Sequence, residues 1–138
     1  MGIFDSIKGL IPANEQKKSS VPFVLNTYFT PFRLTAKKND NVDLHIDLEN
    51  IYGADALFSV SVKVQRGLGT DSTLLNREKT YKLETVKKGE KKHVVAPIFS
   101  ASSTQPGTYK ISIEAYAHFR DYRHIENAVK KIVEIRVV

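Results

Sequence analysis

The chain has 138 residues and a mass of 15.6 kDa, enough for one domain and too little for two of ordinary size. Hydrophobic residues make up 41% and charged residues 26%, which excludes a wholly disordered chain, and no apolar run reaches the ~18 residues that a transmembrane helix needs. The net charge of +6 is spread along the chain, and the absence of cysteine excludes disulfides, Cys-ligated zinc, iron–sulfur clusters and a thiol nucleophile.

Residues 2–11 read as a helix. Ile3, Phe4, Ile7, Leu10 and Ile11 fall on one helical face, Asp5 sits in the first turn, and Pro12 stops the pattern. Isolated helices shorter than ~12 residues are marginal in water, so this apolar face needs a docking surface. Asp5 and Lys8 interrupt the apolar stretch and argue against a secretory signal, which makes the cytoplasm, or a position peripheral to a membrane, the expected location. Pro12–Ser20 is a polar tether, so residues 1–21 form a helix-and-tether unit ahead of a domain spanning 22–138.

Beyond the tether the period becomes two. Phe32, Leu34 and Ala36 alternate with polar residues, as do Val42, Leu44, Ile46 and Leu48, and then Phe58, Val60, Val62 and Val64. Thr80–Leu83 is a short strand, and Val94, Ala96 and Ile98 form one whose Pro97 suggests an edge or a bulge. Tyr109, Ile111, Ile113, Ala115 and Ala117 follow, then Val129, Val133, Ile135 and Val137, with a bulge expected at Lys131. Turn-rich stretches (KKNDN, YGAD, RGLGTD, KKGEK, STQPG and FRDYRHIEN) separate these runs. The expectation is an all-β, seven-strand immunoglobulin-like antiparallel β-sandwich with a short N-terminal amphipathic helix.

Three stretches carry a resemblance. Asn41–Asn50 followed by a short loop and a second Val-rich strand, the turn Lys87-Lys88-Gly89-Glu90-Lys91-Lys92, and Gln105-Pro106-Gly107-Thr108-Tyr109-Lys110-Ile111 are together similar to the CARDB and NEW3 immunoglobulin-like modules of archaea and bacteria. The resemblance covers residues 30–138 and implies a non-catalytic interaction or adhesion module.

Chemistry finds little footing. Asp43, His45, Asp47 and Glu49 share one strand face, but that face is the solvated complement of an apolar one, so neither metal nor catalysis is expected there. Gly67-Leu68-Gly69-Thr70-Asp71-Ser72 lacks the Lys-Ser/Thr and the helix of a phosphate loop. No Gly-x-Ser-x-Gly elbow accompanies the histidines, and His118 and His124 flank a loop where exposure is expected. No cofactor and no enzymatic activity are predicted.

Alternate loops of an immunoglobulin sandwich emerge at one end. That rule gathers Tyr52, Lys87, Lys88, Phe119, Arg120, Tyr122 and Arg123, residue types enriched at binding hot spots. Asp55, Glu90, Asp121 and Glu126 in the same loops argue against nucleic acid. The expected function is protein–protein interaction or assembly through these loops and the helix, with a protein partner or with a second copy joined through the helix or a sheet edge. The alternative is a peripheral membrane or anionic-ligand binder using the same two features.

Overall fold

The structure is a computed structural model and describes residues 23–51, 53–118 and 120–138. Eight strands run in chain order: β1 Phe23–Thr30, β2 Arg33–Leu34, β3 Asp40–Asn50, β4 Ala56–Val64, β5 Glu78–Val86, β6 Lys91–Ser100, β7 Gly107–His118 and β8 Ile125–Val137. They form a three-stranded sheet in the order β1-β3-β6 and a five-stranded sheet in the order β2-β8-β7-β4-β5. Every pairing is antiparallel except the short parallel contact of β2 with β8. This is an immunoglobulin-like sandwich, with β1, β3 and β6 in one sheet and the other five strands in the sheet that faces it.

Period-two patterning builds the core directly. Val42, Leu44, Ile46 and Leu48 of β3 are fully buried and face Phe58, Val60 and Val62 of β4 with Ile111 and Ile113 of β7. Phe23 meets Phe58 edge-on at 5.1 Å between ring centres, closing the core at the end where β1 begins. At the opposite end the Tyr109 hydroxyl donates to the Gln105 carbonyl at 2.7 Å, the corner arrangement typical of this strand in immunoglobulin-like domains. Tyr109 also packs beneath Gly67, where φ is +108° and an added Cβ would lie 2.9 Å from the ring.

The strand pattern departs from expectation in two places. The alternation beginning at Phe32 is a two-residue strand, while Phe23–Thr30 forms a full strand in the other sheet, so the described residues hold eight strands and not seven. β1 escapes a simple alternation test because Val24 and Tyr28 occupy exposed positions that would ordinarily be polar. Lys131 makes no bulge: it pairs regularly with Ile113, and the shift between β7 and β8 falls at Ala117/His118. The expected N-terminal helix, with Ile3, Phe4, Ile7, Leu10 and Ile11, lies outside the described residues, as do Tyr52 and Phe119.

Candidate interaction surfaces

The register places three loops at one end. β3, β5 and β7 finish there and β1, β4, β6 and β8 start there, since Asn50 pairs with Phe23, Val86 with Ala56, and His118 with Ile125. Buried Asn50 holds this end together: its side-chain amide donates to the carbonyls of Ala54 and Val86, while its main chain exchanges hydrogen bonds with Gly89 and Glu90.

Lys87 and Lys88 lie in the β5–β6 turn with exposed side chains. Their main-chain N–H groups donate to the carboxylates of Glu90 (2.8 Å) and Asp55 (2.9 Å), the second bond joining this turn to the β3–β4 loop. The Lys87 N–H is the largest influence holding the Glu90 carboxyl below its ordinary pKa. In the β7–β8 loop, Asp121 accepts from the Arg123 N–H and the His124 ring, each at 2.9 Å, and these bonds lower its pKa, the His124 contact most. Three of the acidic residues that set the charge balance of these loops are thus anchored on main-chain donors, while the side chains of Lys87, Lys88, Arg120 and Arg123 are exposed. Ile51 and Ile125, missed by the sequence reading, add apolar surface at 55% and 58% exposure. An open groove lined by Asp55, Leu57, Thr85, Arg120 and Glu126 runs between the loops.

Tyr122 is different in kind. Its hydroxyl accepts from the Glu84 N–H at 2.9 Å, its ring meets His118 edge-on at 5.1 Å, and Lys82 sits above it at 5.0 Å. It folds the loop over the outer face of the larger sheet. His118, expected to be exposed, is buried for this reason at 7% exposure. Its Nε2 lies 2.6 Å from Ser59 Oγ and its Nδ1 has no hydrogen-bond partner. Burial lowers the imidazole pKa, against the opposing pull of the His124 main chain and Asp121.

The outer face of the smaller sheet carries an arrangement that strand spacing alone does not reveal. Antiparallel pairing sets His93 of β6 opposite Asp47 of β3, and Tyr28 of β1 opposite His45. A hydrogen-bonded row results: Thr30 Oγ1 to His45 Nε2 at 2.5 Å, His45 Nδ1 to His93 Nε2 at 3.0 Å, and His93 Nδ1 to Asp47 Oδ1 at 2.5 Å. Tyr28 stacks flat on His45 at 4.5 Å. A carboxylate only accepts, so with both rings neutral each carries its proton on Nδ1 and Thr30 donates at the far end. The order of groups resembles a nucleophile with its base, and the His93 and Asp47 side chains are 45% and 40% exposed on the outer face of the sheet. Among the described residues, no group of three or more His, Asp or Glu is placed to hold a metal ion.

No protein-family model and no curated protein matches this chain. Among solved structures, it is similar to Bacteroides uniformis beta-glucuronidase 2 at 12% identity and TM-score 0.50, covering 83% of this chain and 13% of the enzyme. The Pseudomonas fluorescens alkylpurine DNA glycosylase AlkC aligns over 84% of this chain and 31% of its own at 15% identity and TM-score 0.48. A PapD-like domain of human CEP192 aligns over 100% and 96% at 10% identity and TM-score 0.47. The chain therefore spans only a small part of the first two proteins, and at 12% identity the likeness to the glucuronidase is one of fold alone.

Proposed function

We propose that this protein is a non-catalytic interaction module that binds a protein partner, or a second copy of itself, through the loop end of the sandwich and the N-terminal segment that joins β1 there. The observation that carries the reading is the composition of that end: exposed Ile51 and Ile125 beside exposed Lys87, Lys88, Arg120 and Arg123. Apolar surface rimmed by cations, with arginine prominent, is what protein hot spots use. Kinship with CARDB and NEW3 modules, on the stretches 41–50, 87–92 and 105–111, would fit the same role.

The test is performed on the full chain. Phe4→Ser with Ile7→Ser should abolish contacts made by the N-terminal segment, and Arg120→Glu with Arg123→Glu those made by the loops, read by light scattering and by flotation with anionic liposomes. Association that survives high salt and is lost in these variants supports protein contact, because screening weakens attraction to anionic surfaces far more than apolar docking. Flotation that salt abolishes would replace it with the membrane-surface reading. Behaviour unchanged in both pairs of variants would sink both.

A further inference from the structure

Among the described residues, the two sheets leave four edges, β1 and β6 in the smaller sheet and β2 and β5 in the larger. An edge strand leaves half its main-chain N–H and C=O groups unpaired, and stable monomers blunt such edges with charge, proline, bulges or shortness. Three of the four carry such a device. β2 is two residues long. β5 has Lys79 and Lys82 and is bulged at Glu84, where φ is +60°. β6 starts with Lys91 and Lys92 and has Pro97 in its second half. β1 has none of them. Its sequence, Phe23-Val24-Leu25-Asn26-Thr27-Tyr28-Phe29-Thr30, is free of charge, proline and glycine, and it pairs with β3 in unbroken register over all eight residues.

We propose that the free edge of β1 is an interface between two copies of this chain, the two strands pairing antiparallel about a two-fold axis so that two three-stranded sheets become one of six strands. The proposal goes beyond the interaction-module reading, since it adds a surface that the loop end does not include. A second copy fits as the occupant because β1 has no charge to repel its own symmetry mate. Pairing that keeps the outer faces together places either Asn26 or Thr27 opposite its own symmetry mate. In the first register Val24 faces Tyr28, in the second Asn26 faces Tyr28, and neither sets like charges against each other. The same operation centred on β5 sets Lys82 against itself, and Pro97 denies β6 a main-chain donor. The acidic outer face of β3 does not oppose the pairing. Two β3 strands would lie three strand spacings apart, roughly 14 Å, beyond the screening length of about 8 Å at physiological salt.

The test is light scattering on the full chain across a wide concentration range, with amide hydrogen exchange followed in β1. The expected result is a mass rising from one chain to two while β1 amides slow in step. Asn26→Lys with Tyr28→Lys sets like charges against each other in either register and alters only exposed side chains, so it should hold the protein at one-chain mass while it remains folded by its unfolding transition. Val95→Lys, on the same face but on β6, should leave the dimer intact. A protein at one-chain mass throughout overturns the edge pairing, while the interaction-module reading stands with a different partner. A dimer that survives the β1 variant but dissociates with Phe4→Ser and Ile7→Ser also overturns it and assigns assembly to the N-terminal segment.

Discussion

The hydroxyl of Tyr122 lies 2.9 Å from the main-chain nitrogen of Glu84, and this bond spans from the β7–β8 loop to the bulge of the outermost strand. Glu84 is in the left-handed region at φ +60°, and the register skips a residue between its pair with Phe58 and the next pair, Ser59 with Lys82. Tyr122→Phe keeps the ring over His118 and removes the acceptor. It should cost about 1 kcal/mol in denaturant unfolding, with faster exchange of the Glu84 amide. An unaltered exchange rate at Glu84 would show that the hydroxyl does not hold the bulge.

His118 predicts a pH dependence of definite sign. Its folded pKa is lowered from the ordinary 6.5, chiefly by burial, so the unfolded chain takes up the proton first. Its contribution is therefore fully present above the unfolded value and is lost as pH falls from there through the folded value. Urea unfolding followed from pH 7.5 to 5 should show stability falling, and His118→Gln should flatten part of that slope. Identical slopes in the two proteins would refute it.

Two glycines should respond differently to the same methyl group. A Cβ on Gly69 would lie 2.6 Å from the Leu74 Cα and 3.0 Å from the Asp71 carbonyl, so backbone must move. Gly69→Ala should destabilise by roughly 1–3 kcal/mol. Gly53 has nothing within 4 Å, and Gly53→Ala should be close to neutral. Comparable thermal shifts for both variants would contradict the packing argument.

The row from Thr30 to Asp47 predicts a tautomer. With both rings neutral, long-range proton–nitrogen spectra should find His45 and His93 each protonated on Nδ1, because Asp47 fixes the direction of every bond in the row. Asp47→Ala should release His93 into a mixture of tautomers. A single Nε2–H form of His93 in the unaltered protein would rule out the assigned direction.

Alternation made β3, β4 and β7 legible from the amino-acid order alone, since each side chain's choice between core and solvent repeats every two residues and needs no knowledge of the partner strand. The same logic anticipated that the β3–β4, β5–β6 and β7–β8 connections gather at one end, because alternate connections between up and down strands return there. Other features depend on register between distant strands. Asp47 meets His93 across 46 positions and Tyr122 meets Glu84 across 38, and neither pairing has a local signature. The burial of His118 follows from the loop that covers it, not from its own position in β7. β1 was hidden for a related reason. Its exposed Val24 and Tyr28 blur the contrast between faces, and its pairing with β3 makes it an edge strand among the described residues. Local periodicity encodes which face a residue prefers, whereas long-range pairing decides what it meets there.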